Sequence, residues 1–311
     1  MIKRFIRKRN GDVYLNDAIR YFKTIFLVPD QLQNPIITPA APVAGQFGQS
    51  PPVIIEAPAD ALTQVSRFIG EHVTVDPLIT QRLAVQVYDT VYRRNLMNRP
   101  ILVDHVFGQR LVPPDVIVTD LLPFSTLTSL FFDPQQTLQF QFFNGSVVGP
   151  SSFRFSLEGR KVESPAWAKP EVKDWIEVQR EKKKWLYPFW LTTDAPVVVP
   201  AGGSVDAFIT VTKDIELALY KGMERFISTG AAGDTLETFT VELFDGQTER
   251  PLQNVPIART SFAGNANFAY WQPTVWYLEP NSLIRARFKN LLTDQPNAIF
   301  PTWHGVANFV G

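Results

Sequence analysis

Chemistry carried by side chains needs nucleophiles, bases or metal ligands that can converge, and this chain of 311 residues has 3 His and no Cys. Without cysteine there is no disulfide, thiolate nucleophile, iron–sulfur centre or thiolate zinc site. His72, His105 and His304 are scattered, and no two stand at metal-ligand spacing. The glycines of STGAAGD, Gly230 and Gly233, lack the Gly-Lys-Ser/Thr ending of a phosphate loop and precede a strand-like run, so they read as a hairpin or loop. Asp89 and Asp245 each follow an apolar run, and a pair of carboxylates can run glycoside hydrolysis. They occupy equivalent positions of an internal repeat, however, which places them in separate domains as turn residues that close strands. No metal, cofactor, or hydrolytic, redox or transferase activity is expected from such a set. The densest charge is Lys3, Arg4, Arg7, Lys8 and Arg9, a run that can meet phosphates or an acidic protein surface, or simply be a solvated tail.

The elements that would position any site must therefore be read first. The chain is 45% hydrophobic and 19% charged, with 24 Phe and 25 Pro, ample for packed cores and too apolar for disorder. Lys+Arg and Asp+Glu are both 30, so no overall field draws the protein onto nucleic acid or an anionic membrane. The opening MIKRFIRKRNGD has the charge of a signal peptide but breaks at Asn10-Gly11-Asp12 where its apolar core should lie, and it is not read as one. No apolar run approaches the roughly 18 residues that span a bilayer.

DPQQTLQFQFFN, Asp133 to Asn144, alternates Leu138, Phe140 and Phe142 with polar residues, the pattern of a half-buried strand. EPNSLIRARFKN, Glu279 to Asn290, is built alike, and the two belong to a longer match. At one offset (280 − 134 = 146) Pro134 falls on Pro280, Phe142 on Phe288, Asn144 on Asn290 and Gly159 on Gly305. At another (241 − 85 = 156) Val85 falls on Val241, Asp89 on Asp245, Arg94 on Arg250, Leu96 on Leu252 and Asn98 on Asn254. The difference (156 − 146 = 10) is an insertion between Gly108 and Leu130 in the first copy, as loops tolerate. Phe142, Phe288, Val85 and Val241 are predicted core positions. Asn144/Asn290 and Gly159/Gly305 are predicted turn positions with φ > 0. His304 aligns with Glu158, so the repeated fold does not itself require a histidine there.

Further alternation at Ser152 to Leu157, and through Val205, Ala207, Ile209 and Val211 after a Gly-Gly turn, adds strands. The expected fold is all-β, with a β-sandwich in each half and the two halves related by internal duplication. Between them PEVKDWIEVQREKKKW, Pro170 to Trp185, has proline and acids at its start and lysines at its end, which predicts a helical connector with Val172, Trp175 and Ile176 as its buried stripe. A second helix is predicted over Asn16 to Phe26, with Ile19, Phe22 and Phe26 on one side. The Pro-, Ala- and Gln-rich run Asn34 to Pro52 reads as an extended arm. The expected division is 1–52 helix and arm, 53–165 first sandwich, 166–190 linker and 191–311 second sandwich.

The order of ELFD, the R-x-L-x-N-x-PI run, a Gly, EPNSLIRARFKNLL and a terminal WHG resembles bacteriophage virion proteins of jelly-roll type, most clearly over Phe239 to Val310 and more faintly over Leu83 to Val162. The resemblance implies that the fold is two tandem jelly-roll-like β-sandwiches, and that the chain is a non-enzymatic virion component, capsid-associated, decoration or neck, that forms symmetric oligomers with copies of itself and other virion proteins. Double jelly-roll major capsid proteins, three of which form a pseudo-sixfold block, are an alternative within the same class. The 1–52 arm, with Lys3, Arg4, Phe5, Arg7, Lys8, Arg9, Phe22 and Phe26, is then the expected subunit contact, its basic end meeting a partner or packaged nucleic acid. A carbohydrate-binding module, with Trp271, Trp276 and Trp303 stacking on sugars, is the competing expectation.

Overall fold

The computed structural model describes residues 22–29, 35–74, 76, 82–107, 124–162, 170–195, 197–228, 239–258 and 270–310. Their strands form four sheets, and every strand pair within them is antiparallel.

The first sandwich is built from β1 (Phe22–Leu27), β2 (Ile36–Thr38), β3 (Gly48–Gln49), β4 (Val53–Glu56), β5 (Leu62–His72), β6 (Leu83–Asp89), β7 (Arg94–Asn95), β8 (Ile101–Leu102), β9 (Phe124–Phe132), β10 (Thr137–Asn144) and β11 (Ser151–Val162), with a short helix α1 (Val103–Phe107). One sheet runs β1-β11-β5-β9 with β2 beside β11, and the other runs β3-β10-β6-β7 with β4 beside β10 and β8 beside β6. Helix α2 (Pro170–Trp185) leads to the second sandwich, built from β12 (Leu186–Thr192), β13 (Val197–Val199), β14 (Ser204–Thr210), β15 (Ile215–Ser228), β16 (Phe239–Asp245), β17 (Ile257–Ala258), β18 (Tyr270–Leu278), β19 (Leu283–Asn290) and β20 (Asn297–Phe309). Its sheets run β12-β20-β15-β18, with β13 beside β20, and β14-β19-β16-β17. If the interrupted strands β1/β2, β3/β4, β7/β8 and β12/β13 are each taken as one, both copies have the same order: first, eighth, third, sixth in one sheet and second, seventh, fourth, fifth in the other. That is the double Greek key of a jelly roll, written twice.

The repeated residues sit at matched places. Phe142 pairs with Val85 and Phe288 with Val241, and all four side chains are fully buried. Asn144 donates from Nδ2 to Gly149 O (3.0 Å) and accepts from Ser146 N (2.9 Å), while Asn290 donates to Gln295 O (2.8 Å) and accepts from Leu292 N (2.9 Å). These asparagines do tie turns, but neither has positive φ. Among the described residues, the non-glycine residues that do are Gln135 and Asn281, and Arg93 and Glu249, pairs related by the same two offsets (281 − 135 = 146; 249 − 93 = 156). Gly159 and Gly305 are not turn residues at all. Each lies within a strand at a β-bulge, where a Cβ would stand 2.0 Å from Gln64 O or 2.1 Å from Ala218 O. What requires glycine there is close backbone approach, not a left-handed φ.

Three sequence expectations change at the N-terminal and linker segments. Phe22 to Phe26 is strand, not helix: β1 pairs with β11 from Phe22↔Val162 to Leu27↔Leu157, and 16–21 lie outside the described residues. Phe22 and Phe26, four apart, satisfy a helical stripe and a strand alternation equally, and the edge of β11 supplies backbone partners that decide for the strand. Within the run read as an extended arm, the described residues 35–52 belong to the first roll, because β2 lies on β11 and β3 on β10 as parts of its opening strands. The stretch 166–190 is not all linker: α2 covers the predicted Pro170–Trp185, and Leu186 already begins β12, which pairs with β20. On α2 the described buried face is Ile176, Gln179 and Lys183, with Trp175 half-buried. Ile176 and Trp175 pack with Leu62, Val162 and Phe131 on the first roll.

Candidate assembly interface between the rolls

The segment LYPFWLT of β12 is apolar over consecutive positions, as a strand buried on both faces must be. Tyr187, Phe189 and Leu191 lie across from Ala307, Gly305 and Trp303. Trp190 lies on the opposite face of β12 and is fully buried, because the first roll covers it. Its N–H donates to Leu96 O (3.0 Å), its carbonyl accepts from Asn98 N (3.3 Å), and it bridges Met97 in parallel. Its ring meets Phe68 edge-on at 5.5 Å and lies 4.5 Å from His304. Asn98 holds the next residues as a clamp, its Nδ2 donating to Thr192 O (2.8 Å) and its Oδ1 accepting from Thr192 N (3.0 Å). Arg99 donates to Thr193 O (3.1 Å). On the other side, buried His105 Nδ1 lies 2.8 Å from Thr302 Oγ1. A single hydrophobic core runs through both rolls as a result.

A polar latch flanks this contact. Arg94 donates to Lys183 O (2.8 Å) and Lys184 O (2.9 Å), satisfying the last-turn carbonyls of α2. Its guanidinium lies 3.8 Å from the Tyr187 ring centroid and 4.7 Å from that of Tyr92. Burial pulls its pKa down, opposed by Asp89 and then the two tyrosines. Lys183 is also buried, which lowers its pKa against the bond it donates to Asp133. Arg180 reaches the other oxygen of Asp133 (3.1 Å), and Gln136 Nε2 donates to Asp89 Oδ1 (3.2 Å). Two loops of the first roll thus fix the end of the helix from which β12 departs.

The residues singled out for chemistry are dispersed into structural roles. Asp89 Oδ1 accepts from Val91 N and Tyr92 N, and Asp245 Oδ1 from Gln247 N and Thr248 N, the same cap in each copy. His72 Nε2 is 2.8 Å from Asp104 Oδ1. His304 is held down to a pKa of about 3, by burial first and then by Lys221, with a backbone hydrogen bond to Phe189 opposing them. No group of three or more His, Asp or Glu residues disposed to hold a metal occurs among the described residues. The sugar-stacking surface is corrected: Trp303 is buried and meets half-buried Trp276 edge-on at 6.4 Å inside the core, while the Trp271 side chain lies outside the described set. Lys3, Arg4, Phe5, Arg7, Lys8 and Arg9 also lie outside it. Phe22 and Phe26 are on β1, with Phe26 exposed on its outer face. Nothing local in the sequence marks Trp190, Met97 and Phe68 as partners, although the repeated Arg-x-Leu-x-Asn run lies on one side of their contact.

No protein-family model matches the chain, and no curated protein sequence matches it. Among solved structures, PNGF-II in one crystal form is similar at 10% identity and a TM-score of 0.39, covering 100% of this chain and 70% of that one. A protein from work on the triple jelly roll fold and turret assembly in an archaeal virus is similar at 9% identity and a TM-score of 0.24, over 89% and 60%. A protein of Sulfolobus Turreted Icosahedral Virus is similar at 8% identity and a TM-score of 0.23, over 90% and 62%. At such values none of these likenesses bears on function. The assignment as two tandem jelly rolls stands on the chain's own strand order.

Proposed function

We propose that the chain is a non-enzymatic structural component of a bacteriophage virion that assembles with copies of itself into a symmetric oligomer. The observation that carries the reading is the lateral joining of two like rolls through β12 and the Leu96–Asn98 edge. A roll-to-roll contact of the kind that tiles a shell is already made once inside the chain. A shell subunit, the double jelly-roll capsid protein, fits this joining best. A decoration or neck position is the narrower rival. Lys3 to Arg9 would contact packaged nucleic acid or another virion protein. No helix among the described residues is long and apolar enough to cross a membrane.

Quantitative mass spectrometry of purified particles tests the reading. A shell subunit is among the most abundant chains present, and a neck protein is a minor one. Absence from particles overturns the proposal. A second reading, carbohydrate binding, is favoured by an open polar depression lined by Gln86, Tyr88, Asn95, Gln139 and Gln141, residue types that hydrogen-bond and stack on sugars. Saturable binding on a glycan array, lost in Tyr88→Ala, would support it.

A further inference from the structure

The two edges that meet inside the chain each have a repeat-related twin, and both twins are exposed. β12 lies on β20 with Leu191↔Trp303 and Trp190↔His304, while β1 lies on β11 with Leu27↔Leu157 and Phe26↔Glu158. Since 303 − 157 = 146 and 304 − 158 = 146, β1 is the first roll's β12, and Phe26 is its Trp190. Phe26 is 58% exposed and Val28, the twin of Thr192, is 56% exposed. On the accepting side, Leu96 N donates to Val87 O (2.9 Å) and Leu252 N to Leu243 O (2.8 Å), the same backbone bond at offset 156. The edge Leu252–Asn254 therefore repeats the edge Leu96–Asn98 that receives Trp190. Leu252 is 48% exposed and Asn254 is exposed as well.

Resting on the assembly reading above, we infer that β1 of one copy docks on the Leu252–Asn254 edge of a second copy's second roll, with Phe26 in the place that Trp190 occupies within the chain. The occupant is another copy because this protein already carries a repeat of the donor strand on its first roll and a repeat of the acceptor edge on its second. Such a contact is heterologous, joining unlike surfaces, and propagates from copy to copy, closing into a ring where its rotation closes. Asn254 takes the part of Asn98, clamping the backbone at Val28. Two differences make it looser than the internal contact. Gly222 stands opposite Trp303 where Phe68 stands opposite Leu157, so the ring partner is missing. Gln253 replaces Met97 and folds back, donating to Val241 O (2.7 Å). A weaker contact suits one made after folding, and exposed apolar residues at both faces are what such a surface presents.

The cysteine-free chain allows a direct test. Phe26→Cys and Gln253→Cys, the twins of the bridged pair Trp190 and Met97, are made in separate chains, mixed, assembled and oxidised. A covalent dimer is expected on a non-reducing gel from the mixture, and little from Ile37→Cys mixed with Gln253→Cys. Phe26→Asp is expected to abolish association in light scattering while leaving the unfolding midpoint of the chain unchanged. If wild-type protein assembles but the Phe26/Gln253 mixture crosslinks no faster than the control, this interface is wrong and the virion reading stands. If wild-type protein neither self-associates at high concentration nor enters particles, both fall.

Discussion

One row of side chains occurs twice in this molecule, in opposite surroundings. In the first roll it is Phe26, Glu158 and Arg67 across β1, β11 and β5, and in the second Trp190, His304 and Lys221 across β12, β20 and β15. The first row faces water, and Arg67 Nη1 reaches Glu158 Oε2 at 3.2 Å as a solvated ion pair. The second lies under the neighbouring roll, where His304 is fully buried and Lys221 nearly so. Burial depresses the pKa of both basic groups, most strongly for His304. The backbone is the same, so the difference comes from what covers it. Desolvation penalises charge, and the covered row has exchanged a carboxylate for an imidazole that stays neutral. A jelly roll thus tolerates either row, and the lateral neighbour selects between them.

Trp190→Ala tests the contrast most severely. It empties a large site between the rolls and should cost about 3–5 kcal/mol, whereas Phe26→Ala, on an exposed face, should stay within about 0.5 kcal/mol in the dissociated chain. Urea unfolding of both variants at low concentration decides it, and equal losses would dissolve the comparison.

Arg94 and Arg250 extend it to the loops. Arg94→Ala removes two charged hydrogen bonds to the end of α2 and should cost about 2–3 kcal/mol. Arg250→Ala, at an exposed twin position, should leave the urea midpoint unchanged. A midpoint shift as large as that of Arg94→Ala would show a local role for the Arg250 loop that the comparison omits.

His304 gives the contrast a pH signature. Its folded pKa of about 3 lies below the ordinary 6.5, so below pH 6.5 the unfolded chain binds a proton that the folded chain refuses. Stability conferred by the neutral imidazole is lost as pH falls, by about 2 kcal/mol at pH 5. His304→Gln should flatten the wild-type slope between pH 6.5 and 5, and Glu158→His, placed in water, should not create a similar one. Unfolding midpoints measured across that range would refute the assignment if wild type and His304→Gln ran parallel.

The smallest effect is expected at the solvated ion pair. A double-mutant cycle on Arg67 and Glu158 should give a coupling of about 0.2–1 kcal/mol, weaker in high salt. A markedly larger coupling would mean that this row too is shielded from water.

How much of this was written in the sequence depends on the range of the interaction that settles it. Local alternation determined β10 and β19, because side chains two apart share a face and Leu138, Phe140 and Phe142 needed no further context. Proline, acids and lysines at the proper ends determined α2 over Pro170–Trp185, because helix termini are chemically polar. The repeat itself, with Phe142 and Phe288 on Val85 and Val241, was legible since duplicated cores keep their spacing. Tertiary structure alone decided that Phe22–Leu27 is a strand, since its spacing fits two periods and only the open edge of β11 distinguishes them. It alone decided that Gly159 and Gly305 relieve a bulge on the adjacent strand, a crowding that arises between segments far apart in sequence. And only it could bring Trp190 to Met97 and Phe68, because the apolar run of β12 records burial on both faces without naming the surface that covers the second one.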